Sequence, residues 1–269
     1  TRSSGTKGQV MIAELLRHEV RRRAVGAGVL AVILGAFGAL ALAIAEALGG
    51  FIEEMTANFP DVLTALVGSN VPGGYVVGEM FNLVFPIAVV VFAIIGGAGA
   101  LAGEERDGTM AILSAQPVTR ARLLWTKAAG VALALVVVVS VNWVVMAIFI
   151  AADATELTLV GLTGGTIHLL FLGLAFGAVA FAAAAATGLP ALGSGVAGGI
   201  AVAAYLAATM LPLAGLEAWA KVSPWYYYLA DSDPLRYGIN LADLGIFTAI
   251  AAVVMAVAAV AFPRRDLRG

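Results

Sequence analysis

Long apolar runs separated by short charged segments make up this chain. Crossing about 30 Å of hydrocarbon takes roughly 20 predominantly apolar residues. Six stretches qualify: 25–49, 80–102, 128–151, 166–186, 191–214 and 244–262. The second and third carry no charge, and the first carries only Glu46. Between Leu157 and Leu216 no residue is charged in 60 positions, which is too long for one crossing. Thr187-Gly188-Leu189-Pro190 divides it, because Gly and Pro punctuate helices. Pro263-Arg264-Arg265 stops the sixth run. The pattern predicts an all-α polytopic membrane protein with six transmembrane helices in a single domain over residues 1–269.

Composition supports lipid as the solvent. Of 269 residues, 61% are hydrophobic and 12% charged, against about 25% charged in soluble domains. A net charge of −2 gives no reason to expect nucleic acid as a partner. There are no cysteines and only two histidines, His18 and His168, so thiolate chemistry is excluded and no metal site is expected. Arg21, Arg22 and Arg23 before the first run resemble the start of a signal peptide. The run 25–49 exceeds an apolar signal core of about 7–15 residues and reads as a retained span.

Basic residues set the expected orientation, since Lys and Arg concentrate in cytoplasmic segments. With the N-terminus inside, the cytoplasmic segments hold Arg2, Lys7, Arg17, Arg21, Arg22, Arg23, Arg106, Arg120, Arg122, Lys127, Arg264, Arg265 and Arg268, which is 13 of 15. Lys221 and Arg236 alone fall outside. The external segments carry Glu53, Glu54, Asp61, Glu79, Asp153, Glu156, Asp231 and Asp233. Both termini are therefore expected in the cytoplasm.

Four segments outside the spans hold most of the polar chemistry. In 9–23, Met11, Ile12, Leu15, Leu16 and Val20 share one helical face, opposite Glu14, Arg17, His18 and Arg21. Such an amphipathic helix can lie in the interface or serve as a plain basic anchor. In 103–124, Asp107-Gly108-Thr109 reads as a turn with Thr109 as a helix N-cap. Pro117 ends the helix that follows, and Val118-Thr119-Arg120 restarts one into the third span. This segment reads either as a rigid element able to pass on force or as a solvated loop. The acidic segment 50–78 shows no ligand chemistry beyond a loose set of carboxylates. In 217–243, Trp219, Trp225, Tyr226, Tyr227, Tyr228 and Tyr237 suit the headgroup level, as an aromatic belt or a gate. Within the spans, Gly161/Gly165, Gly173/Gly177 and Gly195/Gly199 each put two glycines on one face, for internal packing or a dimer face. His168 and Asn142 are polar at a depth where polarity is costly; each reads as an interhelical hydrogen bond or a functional group. Glu46, Glu79 and Asp243, at span ends, are candidates for a vestibule.

The order of these segments resembles the ABC-2 family of ABC-transporter permeases. The carrying residues are Glu104-Glu105-Arg106-Asp107-Gly108-Thr109, Leu113-Ser114 and Pro117-Val118-Thr119-Arg120. Ser223-Pro224-Trp225-Tyr226-Tyr227, Asp233-Pro234-Leu235 and the ending Phe262-Pro263-Arg264-Arg265-Asp266-Leu267 add to it. Met110-Ala111-Ile112 departs from the family pattern, which usually has an acidic residue at position 111. The resemblance implies a cytoplasmic coupling helix in 103–124, with Glu104, Glu105, Gly108, Thr109, Leu113, Pro117 and Arg120 engaging an ATPase subunit. It implies an interfacial helix at 9–23 carrying Leu15, Leu16, Arg17 and Arg21. It also implies an external re-entrant hairpin with Pro224, Trp225, Tyr226, Tyr227 and Pro234. Two ABC ATPase subunits, a second permease subunit, identical or homologous, and membrane lipid are the implied partners, in a prokaryotic plasma membrane. ATP and Mg belong to the ATPase subunits, and no cofactor is expected here.

The residues agree on that division of labour. A phosphate-binding loop needs Gly-x-x-x-x-Gly-Lys-Ser/Thr. The three lysines, Lys7, Lys127 and Lys221, are followed by Gly8, Ala128 and Val222, so none fits. The function expected is that of an exporter permease moving an amphipathic or hydrophobic substrate by alternating access at a permease dimer interface; the permease itself is expected to be non-catalytic. An ion-coupled secondary transporter is the alternative, disfavoured because spans two to five hold no titratable group except His168. An intramembrane glutamate protease built on Glu104-Glu105 lacks the arginine such enzymes need at position 109 and the later histidines.

Overall fold

The computed structural model describes residues 2–56, 74–110, 118–152 and 155–265. Among the described residues the ordered elements are helical. Six of the helices are long and apolar enough to cross a membrane, and are called spans 1 to 6: Ala13–Ile44, Val76–Gly99, Arg120–Ala151, Leu159–Thr187, Pro190–Leu213 and Leu241–Arg264. Their boundaries follow local chemistry. Thr119 and Thr158 cap spans 3 and 4 by accepting from the backbone N–H of Arg122 and Gly161; each hydroxyl satisfies an orphan donor of the first turn. Asn240 does the same for span 6 through Ala242. Span 4 ends on Gly188 at φ 73°, the left-handed position that glycine fills without a Cβ penalty, and Pro190 opens span 5.

Span 4 is the hub. It packs against spans 2, 3, 5 and 6, and 61% of its most apolar window is buried, against 17% for spans 5 and 6. Glycine makes that packing possible. A Cβ on Gly97 of span 2 would lie 2.3 Å from the carbonyl oxygen of Gly177 in span 4, so the two backbones touch there. Span 1 lies along span 3.

Two expectations change. The segment 9–23 is not a separate helix: one helix runs unbroken from Arg2 to Thr56 and carries span 1, because nothing in Arg21-Arg22-Arg23-Ala24 stops helical hydrogen bonding. Span 2 begins earlier than residue 80, with helix Gly74–Glu79 passing through a π-helical turn at Met80–Val84 into Phe85–Gly99. The expected break at Gly188 and Pro190 is found where the sequence places it. Most of the acidic segment 50–78, Asp61 included, and the residues 111–117, with Leu113 and Pro117, lie outside the described residues, as do the side chains of Glu46 and Glu53.

Candidate functional site

The arginine-rich end of the bundle holds a buried ion network drawn from four places in the chain. Glu19 comes from the long first helix and is 4% exposed. Glu104 and Glu105 come from the short helix Ala102–Arg106 that follows span 2. Lys127 lies two turns into span 3 and is 2% exposed. Arg265 stands at the end of span 6. Lys127 Nζ donates to Glu19 and, at 2.5 Å, to Glu104. Arg22 pairs with Glu104 and reaches toward Asp107, and Arg23 closes the cluster onto Glu19 at 3.2 Å. Glu105 pairs with Arg265.

The local backbone makes this arrangement. The helix Ala102–Arg106 stops where Gly108 takes φ 73°. The N–H of Thr109 then donates to the Glu104 carbonyl at 2.9 Å, and that of Gly108 to Glu105 at 3.3 Å, the paired bonds of a Schellman end. The reversal brings the Thr109 hydroxyl onto the Glu104 carboxylate. Thr109 thus closes the preceding helix; as an N-cap it would accept from positions 111 or 112, outside the described residues. Gly130 lets helix 1 approach span 3, since a Cβ there would sit 2.9 Å from the Glu19 Cβ. Gly188 leaves room for Arg265, whose Nη1 would be 1.8 Å from a Cβ.

Electrostatics follow from burial and pairing. Burial pushes the Glu104 carboxyl up, but hydrogen bonds from Lys127 and Thr109 and the charges of Lys127 and Arg22 outweigh it and leave it below its usual range. A buried charge with its partner removed is costly, about 3–5 kcal/mol, so the network holds the loop to the bundle.

Three of the residues expected to engage an ATPase subunit have partners within the chain itself. Glu104 and Glu105 face inward, at 6% and 7% exposure, and their carboxylates are engaged by the chain's own cations. Arg120 donates from Nη1 to the carbonyl oxygens of Pro263 and Arg265, both at 2.9 Å, tying span 3 to the end of span 6. The exposed tip is Arg106, Asp107, Gly108 and Thr109. On the first helix Arg17 and Arg21 are exposed while Leu15 and Leu16 are half-buried, as the amphipathic pattern requires. Glu19 and Lys127 were missed. The signal was there: Glu19 is three and four residues beyond Leu16 and Leu15, on the apolar face, and Lys127 is a lone lysine beside an apolar run.

At the opposite end the segment after span 5 doubles back. Ser223 donates to the Ala204 carbonyl of span 5 at 2.6 Å. Trp225 is buried between Phe176 and Tyr205, and Tyr228 is 1% exposed. These two anchor the segment inside the bundle rather than joining a belt; Trp219 and Tyr237 are exposed. Tyr226, Tyr227 and Pro224 are half-buried. Pro234 is buried against span 4, where a Cβ on Gly164 would lie 2.3 Å from its oxygen. His168 joins span 4 to span 6: its Nδ1 is 2.9 Å from the Gly164 carbonyl and its Nε2 is 3.7 Å from Asp243 Oδ2. Asp243 also accepts from Ser232, so it faces the bundle and not a vestibule. Asn142 is buried with no hydrogen-bond partner among the described residues; the bond between spans 3 and 4 is made instead by Trp143 and Thr163, at 3.1 Å.

Of the three glycine pairs, Gly161/Gly165 and Gly173/Gly177 face neighbouring parts of the chain, whereas nothing comes within 4 Å of a Cβ at Gly195 or Gly199. A comparison with curated proteins finds no match. The family profile described as ABC-2 family transporter protein matches residues 10–267, nearly the whole chain and every span. With its six apolar helices, the chain belongs to the ABC-2 family of transporter proteins, as a membrane permease component of an ABC transporter.

Proposed function

We propose that the chain is the permease subunit of an ATP-driven exporter, and that the tip Arg106–Thr109 is where its ATPase subunit pushes. The observation that carries this is the ion network. A push on an exposed loop moves spans only if the loop is fixed to them, and Glu104 and Glu105 fix it to helix 1, span 3 and span 6 at once. The basic residues on that side, Arg22, Arg106, Arg120, Arg122 and Arg265 among them, support a cytoplasmic location with both termini inside, in a prokaryotic plasma membrane. Two ATPase subunits carrying ATP and Mg would complete the machine with a second permease, and the open glycine face of span 5 is the surface we assign to that second subunit. The charge-poor spans favour an amphipathic or hydrophobic substrate, moved by alternating access between the two permeases.

The test is a pair of variants co-expressed with the ATPase subunit. Gly108→Val cannot adopt the left-handed turn without strain and is expected to abolish ATP-driven transport while membrane insertion stays normal. Gly108→Asn tolerates that conformation and is expected to retain transport. Full transport by the valine variant would refute the coupling role.

The ion-coupled alternative has one observation in its favour, the buried His168–Asp243 pair. Asp243 stands in the first turn of span 6 and is tied to Ser232, which fits a latch for the returning segment better than a carrier site at the midplane. Asp243→Asn is expected to leave the pH dependence of transport unchanged; loss of coupling to a proton gradient in that variant would favour the alternative.

A further inference from the structure

Spans 3, 4 and 6 leave a groove of about 330 Å³ on the outer surface of the bundle, lined among others by Trp125, Ala129, Ala132, Gly177, Phe181 and Met255. Apart from Trp125, every residue that lines it is aliphatic, glycine, phenylalanine or methionine. Small residues, Ala129, Ala132, Gly177 and Ala178, alternate with large ones along its lining, so the surface is notched and not simply convex. Its extent along span 3, from Trp125 to Leu135, is ten residues. That is about 15 Å of helix at 1.5 Å per residue, half of the roughly 30 Å hydrocarbon thickness. The groove therefore lies within one leaflet and starts at the arginine-rich end.

That end carries the chemistry of a headgroup site. Arg122 is three residues before Trp125 and seven before Ala129, so it stands on the same face of span 3 one turn farther out; it is exposed. Trp125, 52% exposed, marks the level where aromatic rings meet headgroups. Arg120 bridges to the carbonyls of Pro263 and Arg265 and draws together the two helices that flank the groove. No acidic residue lies in the first turn of span 3, and Glu105 is already paired with Arg265.

We propose that this groove is a binding site for one anionic phospholipid, with an acyl chain along spans 3, 4 and 6 and its phosphate on Arg122. The match is of shape, length and charge together: an apolar slot one leaflet deep, ending at a cation with no acidic partner among the described residues. The site does not depend on the direction of transport or on the nature of the substrate.

The test is native mass spectrometry of the full-length protein with phosphatidylglycerol and with phosphatidylcholine of identical acyl chains. Phosphatidylglycerol is expected to stay bound more tightly. Arg122→Gln, an exposed substitution that keeps the backbone N–H bonded to Thr119, is expected to weaken phosphatidylglycerol about fivefold and leave phosphatidylcholine unchanged. Ala132→Trp, which fills the slot, is expected to weaken both. Equal retention of the two lipids, or an Arg122→Gln protein that binds phosphatidylglycerol as before, would overturn the proposal. So would an Ala132→Trp protein with unchanged lipid retention and an altered oligomeric state, because the face would then belong to a second copy of the chain.

Discussion

Lys127 decides the character of the arginine-rich end. Its ammonium is shared between Glu19 and Glu104 with almost no access to water. Lys127→Met is expected to destabilise the protein by about 3–5 kcal/mol, since two buried carboxylates lose their common counter-charge. Adding Glu19→Gln to that variant is expected to recover part of the loss, and the non-additivity, read from thermal unfolding in detergent, measures the coupling between the two sites. The pH dependence has a definite sign. The Glu104 carboxyl is lowered by the folded state, so it contributes stability that is complete above the ordinary glutamate range. That stability is lost as pH falls through the lowered value. Unfolding temperature is expected to drop on acidification, and to drop less in Glu104→Gln; an equal drop in both would remove Glu104 from the account.

At the level of elements, glycine sorts packing faces from free ones. Gly97→Ala and Gly161→Ala would place a Cβ 2.3 and 1.8 Å from backbone oxygens of span 4 and the returning segment, and both are expected to unfold at markedly lower temperature. Gly195→Ala and Gly199→Ala meet nothing within 4 Å and are expected to leave the unfolding of the single subunit unchanged. If span 5 faces a second permease, the same two variants weaken the dimer, which cross-linking in membranes would report. The spans themselves were legible because an apolar run of that length has few other uses, and Thr119, Asn240, Gly188 and Pro190 marked their ends by local chemistry alone. The end of the interfacial segment was not legible. Three arginines read as a boundary between water and lipid, yet arginine is a good helix former, and the helix continues through them.

The whole molecule is a bundle held around span 4, with a charged clasp at one end and a tucked aromatic segment at the other. The clasp escaped sequence reading for a physical reason: paired members lie up to 160 residues apart, and each alone reads as a solvated charge. Glu104 and Glu105 were found as candidates through the motif they share with the family, but the motif does not say which way they point. The coupling role requires the exposed tip Arg106–Thr109 to face an ATPase in the cytoplasm. The chain has no cysteines, so single cysteines report cleanly. Arg106→Cys and Trp219→Cys in intact cells, treated with a membrane-impermeant thiol reagent, test the claim directly. Trp219→Cys is expected to be labelled from outside, and Arg106→Cys to be protected until the membrane is opened. Labelling of Arg106→Cys in intact cells would contradict the coupling role.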